Sequence, residues 1–160
     1  LYLMAVETGW DAGWDATKVG FDAKVLFQPQ FSLLSTVPRL DVGPQSLRVF
    51  DYQQAQSVLS APPRVAYPRY ETVFPSWDNT ARKGENGWVV HNSTPTAYEA
   101  WLRSVVERAL LKPAGRRMVF INAWNEWAEG AYLEPDIRHG RKYLEATSRA
   151  LSFARKPHHP

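Results

Sequence analysis

Apolar and polar positions along this chain switch between a period of two and a period of three to four, and the switching predicts strand followed by helix four times. Leu1 to Val6 reads as an apolar strand, a short helix candidate lies between Trp10 and Val19, and Ala23 to Phe27 reads as the second strand. Phe31 to Val49 contains Pro38, Gly43 and Pro44 and reads as a long loop, an excursion of the length that often carries function. Asp51 is placed to cap a helix running through Gln54, Ala55 and Val58 to Leu59, where Pro62-Pro63 stops it. Tyr70 to Trp77 is the third predicted strand, and Asp78 to Ser93 follows as a polar loop. The strongest helix opens at Thr94-Pro95, an N-cap followed by a first-turn proline. It carries Tyr98, Leu102, Val105, Val106, Ala109 and Leu110 at three- and four-residue intervals. Arg117 to Ile121 is the fourth strand, and Arg141 to Phe153 the last helix, with Tyr143, Leu144, Thr147 and Leu151 on one face. Residues 155–160, rich in proline and histidine, are expected to form a disordered tail behind a domain spanning 1–154.

Four βα units are half of a (β/α)8 barrel, a fold in which active-site groups gather at the C-terminal ends of the strands. The predicted ends here are polar: Glu7, Gln28, Trp77-Asp78 and Asn125-Glu126. A doubly wound α/β domain is the alternative, but the chain lacks its Gly-rich phosphate turn. Half a barrel by itself leaves open parallel edges, so the remaining barrel half or a second copy of the chain is an expected partner.

The chemistry concentrates in one run, Asn122-Ala123-Trp124-Asn125-Glu126-Trp127-Ala128-Glu129-Gly130. Two carboxylates three residues apart sit among indoles, directly after the β-rich Met118-Val119-Phe120-Ile121. Glycoside chemistry uses such a pair, one carboxyl holding a proton for the leaving oxygen while the other acts as base or nucleophile, and flat rings suit the C–H faces of sugars. Along a strand Glu126 and Glu129 would diverge. A helical turn after Asn125 instead brings residues three apart to about 5–6 Å between Cβ atoms, and Gly130 can end that turn. The structural alternative is a pair of solvated acids on a surface loop.

Composition changes the picture only at its margins. In 160 residues, 44% hydrophobic, one domain can bury a core, and the absence of cysteine excludes thiol nucleophiles, disulfides and Cys-based zinc sites. This fits a reducing compartment, so a cytoplasmic location is expected, with no transmembrane segment. The net charge of +3 is uneven: residues 81–160 carry 13 Lys and Arg against 8 acids, and residues 1–80 carry 6 against 8. Those later cations lie at helical spacing or flank a strand, which reads as a solvated face, and no nucleic-acid partner is expected.

The run from Phe120 to Gly130, with Leu133-Glu134-Pro135-Asp136 and Tyr143-Leu144-Glu145-Ala146-Thr147 after it, resembles the C-terminal signature of WbsX-type polysaccharide-biosynthesis proteins. Upstream, Gly20-Phe21-Asp22-Ala23, Arg48-Val49-Phe50-Asp51-Tyr52 and Phe74-Pro75-Ser76-Trp77-Asp78-Asn79-Thr80-Ala81-Arg82 are similar to the same family in order. One departure is Phe27-Gln28-Pro29-Gln30, where the family pattern is Phe-Pro-Pro. Members are called glycosyltransferases, yet their domain is similar to the family 99 glycoside hydrolases, endo-α-mannosidases with a (β/α)8 barrel. The resemblance thus implies an α/β fold, the C-terminal half of such a barrel, and action on α-linked glycans in cell-surface polysaccharide or O-antigen metabolism. It implies a retaining hydrolase, with a glycosyltransferase or a non-catalytic carbohydrate-binding domain as the alternatives. Asn125-Glu126-Trp127-Ala128-Glu129-Gly130 fits the family 99 motif. There the first acid assists attack by the substrate's own 2-hydroxyl through an anhydro-sugar, and the second is the acid/base. Glu126 and Glu129 take those roles by resemblance, with no metal or organic cofactor and an oligosaccharide or polysaccharide as partner. Trp124, Asn125, Trp127, Trp77, Asp78, Glu7 and Gln28 are the expected substrate-binding residues. For Trp77 core packing stays open, for Glu7 a capping role, and for Arg82 and Lys83 either solvent or an anionic group of the substrate.

Overall fold

A computed structural model of the chain describes residues 1–8 and 13–153. The first turn of the helix candidate at Trp10 and the C-terminal tail lie outside the described residues.

The architecture is mixed α/β. Strand β1 (Met4–Glu7) lies parallel to β2 (Ala23–Leu26), with α1 (Phe31–Leu34), β3 (Arg48–Asp51) and α2 (Tyr52–Leu59) following. The next crossing is β4 (Arg69–Tyr70), parallel to β2, and β5 (Thr72–Val73), separated from β4 by Glu71 alone. Then come β6 (Trp77–Asp78), α3 (Thr80–Lys83), β7 (Trp88–His91) and α4 (Pro95–Leu110). The chain closes with β8 (Phe120–Ile121), β9 (Asn125–Glu126), β10 (Ala131–Tyr132) and α5 (Lys142–Phe153). Strand β8 pairs parallel with β5. Four chain crossings, β1, β2, β4–β5 and β8, therefore run side by side in one direction.

Register assigns side chains to the two faces of this sheet, because partners in register share a face and neighbours along a strand alternate. Glu7 pairs with Leu26, and Lys24 with both Ala5 and Arg69, so Glu7, Lys24 and Arg69 share one face. Glu71 follows on that face, where Arg108 of α4 grips its carboxylate with two bonds of 2.9 and 2.6 Å. The opposite face carries Val6, 55% exposed, and the partly buried Val25.

The helices form where local chemistry asks for them. Asp51 Oδ1 accepts from the amides of Gln53 and Gln54 to start α2, and Thr94 Oγ1 accepts from Ala97 N ahead of Pro95 to start α4. The apolar stripe of α4, to which the structure adds Trp101, packs on Tyr52 and Phe74 with edge-on rings at 6.1 and 5.1 Å. Tyr143, Ala146 and Ala150 of α5 complete that core. Among the described residues, no helix is long and apolar enough to cross a membrane.

Two strands occupy stretches that read as loops. β3 and β7 pair parallel, and β6 joins β7 antiparallel, making a second small sheet. Val49-Phe50 and Trp88-Val89-Val90 are β-prone, but runs this short have no readable period, and their pairing depends on residues some forty positions apart. The predicted strand Tyr70 to Trp77 breaks for a related reason: Pro75 has no amide to donate, and beyond it the chain leaves β8 as neighbour for β7.

Candidate functional site

Beyond β8 the chain is tied down before it turns. Asn122 N donates to Val73 O at 2.8 Å, and its Nδ2 donates to Gln28 O at 2.7 Å. Strands β9 and β10 then form a small antiparallel pair, Glu126 opposite Ala131 and Asn125 opposite Tyr132. Trp127–Glu129 between them is a single 3-10 turn. In such a turn residues three apart eclipse, which brings Glu126 and Glu129 to one side. Gly130 ends the turn at φ +58°, and a Cβ there would lie 2.9 Å from the amide nitrogen of Asp78. Only glycine combines that backbone angle with that approach. Ser76 Oγ donates to Gly130 O at 2.5 Å, fixing the turn against the start of β6.

Arg82 brings the two acids together. Asp78 Oδ1 accepts from the amide and hydroxyl of Thr80, at 2.9 and 2.6 Å, and so begins α3. From α3 the guanidinium of Arg82 reaches Glu126 Oε1 at 3.2 Å through Nη2 and Glu129 Oε1 at 3.3 Å through Nη1. Arg82 is half exposed, Glu126 37% and Glu129 20%. Burial pushes the Glu129 carboxyl above its ordinary value, Arg82 opposes that rise, and the charge of Glu126 adds to it. A carboxyl whose proton affinity is raised by burial, beside a second carboxyl, is shifted in the direction that general acid catalysis at a glycosidic oxygen requires.

Two indoles flank this pair. The ring of Trp127 stacks on Tyr132 with centroids 3.8 Å apart, and its Nε1 donates to Glu134 Oε2 at 2.6 Å. Trp127 nonetheless keeps 48% of its surface open, and Trp124 keeps 53%. Asn125 is exposed beside them.

The remaining residues singled out in the sequence go elsewhere. Glu7 borders a cavity but its carboxylate is already engaged: it is 1% exposed, paired with Lys24 Nζ and Arg69 Nη1 at 3.1 Å each, and accepts from Tyr67 OH at 2.8 Å. Its place on the sheet face shared with Lys24 and Arg69 is the reason. Gln28 is also buried, donating to Leu59 O at 3.2 Å and accepting from Gln30 N at 2.9 Å, so its amide serves the backbone. Trp77 is 2% exposed and packs edge-on against Phe31 at 5.7 Å, the core-packing reading. Asp78 is exposed, next to the acid turn. Sequence reasoning missed Arg82 as a partner of both acids, and missed Tyr132 as the platform for Trp127. The only sequence signal for Arg82 was its place at the end of the run Phe74 to Arg82.

The chain resembles known proteins along most of its length. The sequence model of one family, described as "Glycosyltransferase WbsX", matches residues 1–147. A protein of Xanthomonas campestris pv. campestris strain B100, described as "Uncharacterized protein WxcX", is 42% identical over 144 residues, 88% of this chain and 21% of that protein. Its counterpart in a second strain of the same pathovar matches equally well. The chain thus spans about a fifth of the length of these curated relatives. A solved structure described as a "Glycoside hydrolase-like protein" shares the fold, with a TM-score of 0.55 at 12% identity, over 94% of this chain and 44% of its own.

Proposed function

The chain belongs to the WbsX glycosyltransferase family, and from that premise we propose that it is a polysaccharide-directed, carbohydrate-active domain working through Glu126 and Glu129 on α-linked glycans. Glu129 is the proton donor to the leaving glycosidic oxygen. Glu126 takes the proton of the attacking hydroxyl, the sugar's own 2-hydroxyl in the endo-α-mannosidase-like form of the reaction. Trp124, Trp127 and Asn125 receive the sugar. The observation that carries this reading is the convergence of both carboxyls on the guanidinium of Arg82, with burial raising the Glu129 carboxyl above its ordinary value. Arg82 is a positioning residue: it holds the acids side by side and limits how far the Glu129 carboxyl rises. On this reading the four parallel crossings are half of a barrel, closed by the remaining barrel half or by a second copy of the chain.

Turnover by the natural protein carrying this chain tests the proposal. Glu126→Gln and Glu129→Gln are each expected to lower cleavage or transfer of an α-linked glycan at least ~100-fold, the lower end of what general acid–base catalysis contributes, with circular dichroism unchanged. Undiminished turnover in either variant overturns the assignment. Glycan binding with no turnover in the wild type makes the domain a binding module instead.

A further inference from the structure

A cavity of about 260 Å³ borders the acid turn, lined by Ser76, Gly130, Tyr132 and other residues that include neither Glu126 nor Glu129. We propose that this cavity is a second sugar subsite, taking one neutral hexose unit of the polymer next to the unit at the two acids, with Asp78, His91, Asn92, Asp136 and Arg138 as its polar contacts. The choice of a sugar rests on the carbohydrate reading above.

Size comes first. Pockets for drug-sized ligands run to about 300–1,000 Å³, so this one suits a single ring and not a chain of them. Its lining then restricts the class of ligand. A hexose presents hydroxyls that both donate and accept, and the walls offer both kinds of partner: carboxylates, an amide, imidazoles and a guanidinium. The bonds of Asp78 to Thr80 run through Oδ1, which leaves Oδ2 for an incoming hydroxyl. Trp77, on the same wall, buries its Nε1 with no hydrogen-bond partner among the described residues.

Charge separates neutral from acidic sugars. Asp78 and Asp136 face the cavity against a single guanidinium, Arg138, so a uronate would bring a third carboxylate to one arginine. Position connects the cavity to the reaction. Gly130 immediately follows Glu129, and Tyr132 both lines the cavity and stacks under Trp127. A glycan lying across Trp127 is thereby carried from the acids into the cavity.

Saturation-transfer NMR of the natural protein with methyl α-mannopyranoside, methyl α-glucopyranoside, methyl β-galactopyranoside and methyl β-glucuronide tests this. At least one neutral glycoside is expected to bind and to lose affinity 10-fold or more in Arg138→Ala and in His91→Ala. Both are surface positions, so folding can be checked by melting, and either variant alone suffices. The same glycoside is expected to bind the Glu126→Gln and Glu129→Gln variants unchanged. Absence of binding by every neutral glycoside, binding indifferent to both cavity substitutions, or tighter binding of the glucuronide each overturns the proposal. Because binding is read without turnover, an acid pair that proves non-catalytic is distinguished from a cavity that proves empty.

Discussion

Glu7 lies between Lys24 and Arg69 much as Arg82 lies between Glu126 and Glu129: one charge held by two of the opposite sign, at 3.1 Å in the first group and 3.2 to 3.3 Å in the second. Water divides them. In the first group Lys24 is fully buried and also donates to Trp14 O, while Tyr67, its phenol pushed up to about 12 by burial and by its bond to Glu7, fills another position on the carboxylate. Ions this dry must have every partner in place, because desolvation costs several kcal/mol per charge before attraction offsets it. In the second group all three side chains keep access to solvent, each ion pair contributes at most about 1 kcal/mol, and the carboxyls can exchange Arg82 for a ligand. Glu7 and the pair Glu126 and Glu129, all read as site candidates, thus divide into a dry, fully enclosed group and a solvent-accessible one. What decides between them is how completely each carboxylate is already satisfied.

Breaking the dry group is expected to have the largest effect. Glu7→Gln removes the buried carboxylate that Lys24 and Arg69 share, and a loss of about 3–5 kcal/mol in chemical denaturation is expected. The double variant Glu7→Leu with Lys24→Met recovers part of that loss, since apolar replacement of a whole buried pair is often neutral. A loss below 1 kcal/mol in the single variant would make the two groups energetically alike.

Next in size is Gly130→Ala, which forces an L-residue into a left-handed angle at about 1–2 kcal/mol and presses a methyl onto the Asp78 backbone. Melting temperature and turnover should fall together, because the turn that places Glu129 has to shift.

Arg82→Met sharpens the comparison from the wet side. Its stability change should stay within about 1 kcal/mol. The basic limb of the pH–rate profile, however, should move upward, because the guanidinium is the influence that lowers the Glu129 carboxyl. A stability loss as large as that of Glu7→Gln, with an unmoved profile, would make Arg82 structural.

The smallest effect is a linkage. A carboxyl raised on folding binds its proton more tightly in the native state, so its contribution to stability is present below its ordinary value of 4.5 and is lost as pH rises through the higher native value. Glu129→Gln removes that loss. Melts of variant and wild type should separate across this window and run parallel above it.

Much of the local structure was legible. Thr94-Pro95 and Asp51 announced α4 and α2, and the interval of three between Glu126 and Glu129, followed by glycine, announced a turn. The failures share a different cause. β3 and β7 were invisible because neither short run has meaning without the other. Glu7 and Gln28 were placed at an open mouth because a strand end is readable, whereas the segments that cover it are not.

By itself the sequence determined the capped helices and the turn at the acids, since propensity, capping and spacing act within a few residues. Tertiary structure decided which carboxylates are dry and which are open, because Glu7 meets Arg69 across 62 positions and Arg82 meets the acids across 44 and 47. The solvation of a charge depends on every atom packed around it. Those atoms come from distant parts of the chain, and only folding assembles them.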